Sequence, residues 1–461
     1  MTIERYVILF ILATVPVVYA SVQPWVWAPY AAAVYLVFLH AWWRRRVSFA
    51  ENGRAAAWVL SLFFAWSLFL IVSLPAGLIE LLSPFRASLL AEACGMLGIS
   101  CGGNAVSYVR GLALSRWALW IAAFLLAMLV GAACRDRRFL KALAVVLFVA
   151  ASLEALYGLI QALVPSTGVL GYHETGLGNA RGTYINRNHF AGMIEMIWPL
   201  GLGYLISLSP WEETGKIRLK HLINSDRFNR QLLIAIFLVV MVLALVFSRS
   251  RAGITGGILG FVAFLGALSF SGAGMRRGFW IGTGAALILL LVYGGQMGFG
   301  SVIERFLEID REVGRLDKWR DAWLIVQQHP FGVGPGNYEI VEPVFQVNAK
   351  STELSIHTHN DYLQLLVETG WPGFLLLTCG WLYLLVRGLF GIRRFFRRAG
   401  YSTHFFMAVG AWSGLVSMAF HSFFDFNLQI PANLFYFAML IGITTHIFPA
   451  SYSHGQKNAT F

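Results

Sequence analysis

Four short segments of this sequence gather residue types that can do chemistry. They are Ser248-Arg249-Ser250-Arg251-Ala252-Gly253, Gly314-Arg315-Leu316-Asp317-Lys318-Trp319, Asn186-Arg187-Asn188-His189-Phe190 and His357-Thr358-His359-Asn360-Asp361. A guanidinium stays charged at every relevant pH, and its planar fork grips two phosphate oxygens at once, so the arginines suit a diphosphate clamp. The plain alternative for Arg249 and Arg251 is interfacial anchoring to lipid phosphate, because they fall where two apolar stretches almost meet. His359 exchanges protons near neutral pH and suits a general base acting on a hydroxyl; the alternative is a structural histidine at a helix start, where Asn360 or Asp361 caps the apolar run that follows. Metal ligation is the competing chemistry, since His357, His359 and Asp361 alternate and Glu308, Asp310 and Glu312 add alternating carboxylates. Alternation inside a helix sends such ligands to different faces, so the acidic run reads as a solvated helix face.

These segments need a scaffold, and composition says what kind. The chain has 461 residues, 57% of them hydrophobic and only 13% charged. A soluble domain carries roughly twice that charge, about 25%. Apolar stretches long enough to cross a bilayer occur at Tyr6–Val22, Trp25–Trp43, Ala55–Leu74, Leu114–Ala133, Phe139–Leu163, Phe190–Leu208, Leu232–Phe247, Ile254–Phe270, Phe279–Met297, Phe374–Phe390, Phe405–Phe424 and Leu434–Phe448. Unpaired backbone groups in lipid cost several kcal/mol each, and no barrel-like alternation is present. The expected fold is therefore an all-α polytopic membrane protein of about twelve transmembrane helices, in one integral domain spanning residues 1–461. The first stretch could pass for a cleavable signal peptide, but its removal would spoil the charge pattern, so it reads as retained.

The net charge of +12 would point to nucleic acid in a soluble protein; here its distribution points to lipid. Arg44, Arg45, Arg46 and Arg54, then Arg135, Arg137, Arg138 and Lys141, then Lys216 to Arg230, Arg276 and Arg277, and Arg393 to Arg398 all fall in alternate loops. This is a positive-inside pattern with both termini cytoplasmic. The external segments are then Pro75–Ala113, Val164–His189 and the large loop Gly298–Gly373. In the first, Leu78, Leu81, Leu82, Phe85, Leu89 and Leu90 recur at helical spacing, as in a helix lying on a membrane surface. Cys94 and Cys101 fall together in that same segment, where a disulfide can form. Val302–Gln328 in the large loop reads as a helix, and His329–Tyr338 as a glycine-rich turn, since a nucleotide fingerprint would need a βαβ unit that is not there.

The residues resemble those of the O-antigen ligase and polymerase family. Its ligases carry a histidine, then Asn, Ser or Gln, nine residues, Gly, two residues, and Gly, Thr or Tyr. His359 and Asn360, then Asp361 to Thr369, Gly370, Trp371, Pro372 and Gly373 fill that pattern without a gap. Ser250-Arg251-Ala252-Gly253 is similar to the family's Ser-Arg-Gly element, and Gly314-Arg315-Leu316 with Trp319 to its second arginine helix. Asn186–Phe190, His329–Tyr338 and His421–Pro431 extend the likeness, while the first third of the chain adds hydropathy alone. The resemblance implies a metal-independent, inverting glycosyltransferase of the GT-C type in the bacterial inner membrane, with its site facing the periplasm and no cofactor. The implied donor is an undecaprenyl-diphosphate-linked glycan; the acceptor is lipid A-core for a ligase or a second lipid-linked glycan for a polymerase. His359, Arg251 and Arg315 would be catalytic, with the diphosphate falling to either Arg249 or Arg251. Arg187, Asn188, His189 and Asn360 would bind substrate. A lipid-linked sugar flippase is the rival from another class, but it needs ionisable groups through the midplane; Glu154 and Glu195 lie within spans, whereas the candidate arginines and histidines cluster at the external face.

This topology predicts that a cysteine introduced at Asn348 is labelled by a membrane-impermeant maleimide in intact cells whose outer membrane has been permeabilised. Labelling only after the inner membrane is breached would invert the topology.

Overall fold

The computed structural model describes residues 1–47, 54–99, 104–171, 178–208, 226–274, 310–347 and 356–447. Helices α1 (Ile3–Thr14), α2 (Pro24–Trp43), α3 (Arg54–Phe69), α4 (Ala76–Leu82), α5 (Pro84–Leu97), α6 (Arg110–Ala133), α7 (Arg137–Leu163) and α8 (Arg187–Ser207) make up the first half. Then come α9 (Asp226–Phe247), α10 (Arg251–Ser271), α11 (Asp310–Gln328), α12 (Tyr338–Phe345), α13 (Asp361–Ala399), α14 (Thr403–His421) and α15 (Pro431–Thr445). Among the described residues there is no strand; Leu74 and Asn104 form an isolated antiparallel bridge.

The protein is thus an all-α polytopic membrane protein. Among the described residues eight helices are long and apolar enough to cross a bilayer: α2, α6 to α10, α13 and α14. Shorter apolar helices cover Trp58–Phe69 and Pro431–Thr445. The span expected at Phe279–Met297 lies outside the described residues. The span expected at Tyr6–Val22 is shorter than its hydropathy suggests. Helix α1 ends at Thr14, Pro16 offers no N–H to continue it, and Tyr19, Ala20 and Ser21 turn the chain with φ of 48°, 55° and 56°. The surface helix expected after Pro75 is a pair, α4 and α5, parted at Ser83 by Pro84. Leu81, Met96 and Leu97 on that pair are exposed, as suits a membrane surface. Cys94 is disulfide-bonded, while Cys101, its expected partner, lies outside the described residues.

At the centre, α8 and α14 pack backbone against backbone. A methyl group at Gly203 would sit 2.3 Å from the Phe406 carbonyl oxygen; at Gly410, 2.5 Å from that of Pro199; at Gly414, 2.5 Å from that of Met196. Small residues permit this approach in a bilayer, where lipid is as apolar as the side chains and association relies on close packing. The seam fixes the register of the two helices that carry His189 and His421.

The basic loops collect at one end of the bundle. Arg5 meets Asp136, Arg46 donates to Glu4 Oε1 at 2.6 Å, and Tyr401 donates to the Gly274 carbonyl at 2.6 Å. His404 meets the backbone of Cys134 and Arg135, and the Arg393 guanidinium lies 4.9 Å from the Phe270 ring centre. The described part of the charge pattern is therefore a physical face, while Lys216, Arg218, Lys220, Arg276 and Arg277 lie outside the described residues.

Helix α13 is broken at Gly370, which adopts φ 64° and ψ −177°, a region essentially confined to glycine. The glycine-rich turn docks against the break: Val333 N donates to Val367 O at 3.0 Å, Gly334 N to Glu368 O at 2.9 Å and Trp371 N to Pro330 O at 2.9 Å. A methyl group at Gly370 would lie 2.2 Å from the Phe331 carbonyl carbon. Gly370→Ala is therefore expected to destabilise the protein by at least about 1–3 kcal/mol, the cost of such backbone strain alone. Gly77→Ala, with open space around it, should leave the melting temperature in detergent unchanged. Equal melting temperatures for the two variants would contradict the role given to the break.

Candidate functional site

The residues flagged by their chemistry meet at the end of the bundle away from the basic loops. Residues 356–360 lead into α13, and Asn360 caps that helix: its Oδ1 accepts from Tyr362 N and Leu363 N at 3.0 Å each. Thr358 Oγ1 donates to the Asn360 carbonyl at 2.7 Å and accepts from Asn360 N at 3.1 Å, which closes a tight turn with His359 at its tip in the left-handed region, φ 55°. Trp319 of α11 braces the turn by donating from Nε1 to Thr358 O at 3.0 Å.

The turn docks on the segment that follows α14. Asp361 N donates to Ser422 O at 2.8 Å and approaches Asp425 O at 3.2 Å, while Asp361 Oδ2 accepts from Ser422 Oγ at 3.0 Å and Leu428 N at 3.1 Å. This places His359 Nδ1 3.3 Å from Asp425 Oδ1. His189 Nε2, from the first turn of α8, lies 3.8 Å from the same oxygen. Burial alone would push the Asp425 carboxyl up; the imidazoles of His189 and His359 outweigh it and hold the group well below the usual carboxylate range. Asp425 is therefore a fixed negative charge behind two histidines.

Three histidines surround the Phe426 ring. His357 stacks on it at 4.1 Å between centres, and His189 and His359 meet it edge-on at 4.5 and 4.9 Å. They are not equivalent. Burial, with the positive charge of Arg116, holds His357 down at about 3, so it stays neutral, and its Nδ1 meets the Gln364 amide at 3.1 Å. His359 leaves 28% of its side chain exposed against 6% for His189, so His359 is the one best placed to exchange a proton with an incoming molecule.

A second layer holds these groups. His421 Nδ1 lies 2.9 Å from Glu195 Oε1, with both side chains fully buried, and the backbone turn carrying Asp425 hangs from the His421 carbonyl. Asn433 Nδ2 donates to the His189 carbonyl and to Asn427 Oδ1, each at 2.9 Å, while Tyr184 donates to Asn433 Oδ1 at 3.0 Å.

The arginines border the same end. Arg251 is the first residue of α10, whose cap Ser250 accepts from Gly253 N at 3.3 Å, and Arg249 beside it has φ 54°. A methyl group at Gly253 would lie 2.5 Å from Ala191 Cβ, so this turn sits against the start of α8, two residues after His189. Arg315 lies on α11 one turn before Trp319, on the face that braces His359. Arg187 is half-buried and donates to Asn179 Oδ1 at 3.2 Å; Asn188 is also half-buried. The suggested ligand trio is dispersed, with His357 on Gln364, His359 on Asp425 and Asp361 on Ser422 and Leu428. Among the described residues no three His, Cys, Asp or Glu side chains are arranged to hold a metal ion.

The sequence placed His421 and Asp425 in the segment His421–Pro431 but gave neither a role, and it did not pair Glu195 with His421. The signal for Asp425 was a lone acid inside the apolar run Phe423 to Leu428.

Residues 236–378 match the family model described as O-antigen ligase. That stretch contains Arg249, Arg251, Arg315, His359, Asn360, Gly370 and Gly373, whereas His189 and Asp425 lie outside it. No curated protein matches the chain.

The Glu195–His421 pair makes a stability prediction. Removing one partner of a buried pair strands the other, at a cost of about 3–5 kcal/mol, while replacing both with apolar residues costs much less. Glu195→Leu should therefore lower thermal stability in detergent sharply, and adding His421→Leu should restore much of it. Additive losses in the double variant would show that the pair is not energetically coupled.

Proposed function

We propose that this membrane protein, whose residues 236–378 match the family model described as O-antigen ligase, is a glycosyltransferase that moves a glycan from undecaprenyl diphosphate to an acceptor hydroxyl, with lipid A-core as the acceptor. The observation that carries the proposal is the approach of His359 Nδ1 to the buried Asp425 carboxylate at 3.3 Å.

A carboxylate on Nδ1 orients the imidazole and leaves Nε2 to take a proton. In the proposed reaction the acceptor hydroxyl gives its proton to His359 Nε2 as its oxygen bonds to the sugar's anomeric carbon. The bond from that carbon to the phosphate oxygen breaks on the opposite face, and undecaprenyl diphosphate leaves with the bonding pair. One displacement inverts the anomeric centre. Asp425 stabilises the imidazolium as it forms, since its negative charge is already in place.

Charge grows on the leaving diphosphate, and two features of this end of the bundle suit it. Arg251 and Arg315, with Arg249, supply guanidinium forks that gain most when the leaving oxygen is most charged. Helices α8, α10 and α13 begin at this end, and their N-termini carry partial positive charge toward an anion. Arg187, Asn188 and His189 open α8, and in this reading the first two contact the glycan. The positive-inside rule assigns the basic end to the cytoplasm, so His359 and the loop Gly298–Gly373 face the periplasm of an inner-membrane protein.

The roles separate in kinetics. His359→Ala should cost about 10²–10⁴ in transfer rate while leaving donor affinity nearly unchanged. Asp425→Asn should fall in the same direction, because the amide cannot balance the imidazolium. Arg251→Lys and Arg315→Lys keep the charge but lose the fork, so each should be nearly as damaging as alanine. Turnover should also survive excess chelator. Wild-type rates in both lysine variants would return the arginines to anchoring, and activity restored by one divalent ion after chelation would replace this mechanism. In cells lacking the gene, long lipid-linked chains beside a bare core are expected; accumulation of single lipid-linked repeats would make the protein a polymerase.

A further inference from the structure

The end of the bundle that carries His359 holds a further arginine, which the reaction described above does not use. Arg116 lies half-buried in the second turn of α6, outside residues 236–378. Its Nη1 donates to the Gln429 carbonyl at 3.1 Å, which ties it to the segment that carries Asp425. The glycine-rich turn presses on its stem, since a methyl group at Gly336 would lie 3.3 Å from Arg116 Cβ. Its charge adds to burial in keeping His357 neutral, so the guanidinium stands beside that ring. Among the described residues no carboxylate pairs with it. Glu368, the buried acid that feels its charge, has both oxygens occupied: Oε2 accepts from Gly336 N and Oε1 from Gln364 Nε2, each at 2.8 Å. A cation drawn partly out of water without a counter-charge is costly, and a bound anion would offset that cost.

We propose that Arg116 binds an anionic group of the acceptor, a phosphate or a carboxylate set beside the reactive hydroxyl, and so selects the acceptor. The inference rests on the reading that this site transfers a glycan with inversion. In such a displacement the incoming oxygen and the leaving diphosphate occupy opposite faces of the anomeric carbon, so the cations that serve them stand apart. Arg249 and Arg251 enter from the start of α10, which packs on α8, α13 and α14, whereas α6 packs on α2, α3 and α15. Arg116 therefore approaches the His359 turn from the other side. His357 and His359 share the Phe426 ring, so an anion held beside His357 lies close to the hydroxyl that His359 deprotonates. The guanidinium fork has donors left once Nη1 engages Gln429, and its geometry suits phosphate and carboxylate alike.

The test uses purified full-length protein, an undecaprenyl-diphosphate-linked glycan and three acceptors: lipid A-core as isolated, the same core stripped of phosphate by hydrogen fluoride, and the same core with its carboxylates reduced to alcohols. Acceptor binding is measured as well as transfer. In the wild type, loss of the recognised group should weaken acceptor binding and raise acceptor KM about 10- to 100-fold, the range of one charge-assisted contact. The stripped core that suffers identifies the anion. Arg116→Ala should impose the same loss on the intact core, leave donor KM unchanged and cease to distinguish the three acceptors. Arg116→Gln keeps a donor for the Gln429 carbonyl, so it should hold the wild-type melting temperature yet bind acceptor as poorly as alanine. Arg110→Gln, at an exposed arginine of the same helix that donates to Ser73 Oγ at 2.6 Å, should keep the wild-type preference. A wild type indifferent to both groups overturns the proposal, as does wild-type acceptor affinity in Arg116→Gln, which would reduce the residue to a brace for Gln429. A rise in donor KM with acceptor KM unmoved would give Arg116 to the diphosphate and overturn it too. Absence of transfer by a wild type whose acceptor binding still depends on Arg116 would sink the transferase reading and leave this assignment standing.

Discussion

The docking of one turn on another holds this molecule's chemistry together. Asp361 accepts from Ser422 Oγ and Leu428 N, and its own N–H donates to Ser422 O. Those bonds join the start of α13 to the segment after α14, and only through them do His359 and Asp425 come within 3.3 Å. Without water to compete, the bonds are stronger than they would be on a soluble surface, and leaving any of them unmade would be correspondingly costly. The rest of the architecture serves to keep the two turns in reach. The glycine seam sets α14 against α8, the Glu195–His421 pair locks that register, and the break at Gly370 lets the glycine-rich turn brace α13 from the other side.

Much of this is legible in the sequence wherever the signal is local. Bilayer-length apolar runs, alternate basic loops and the run from His359 to Gly373 each declare themselves within a few dozen residues, because hydropathy and helix capping act over that range. A cap at Asn360 or Asp361, which in the structure is Asn360, and a turn at His329–Tyr338 follow from the same local rules. What escaped is separated along the chain. Asp425 stands 66 residues from His359, and Glu195 stands 226 from His421; nothing in the neighbouring residues announces a partner so distant. The shortness of α1 escaped for another reason: hydropathy averages over a window and does not register Pro16 or three successive left-handed residues.

The glycines of the resemblance gain a physical meaning. Gly370 takes a backbone conformation closed to other residues. Gly373 is pressed against Thr369 and the Trp66 ring, where a methyl group would lie 2.5 and 3.1 Å from the nearest side-chain atoms. The spacing from His359 to these glycines is thus the length of the stub that carries the reactive turn to its docking partner. A glycine-spaced pattern here measures distance along a helix and needs no contact with substrate.

His359 itself sits at φ 55°, a conformation that His shares with Asn and Asp more readily than with most residues. Backbone fit and proton transfer are therefore separate demands at this position. Asparagine meets the first without the second, so His359→Asn would keep the backbone of the turn while removing the group that the proposed reaction uses as its base. Descent can pass through such a silent form at little structural cost. At this position the architecture and the proton-transfer group can therefore be lost independently of one another.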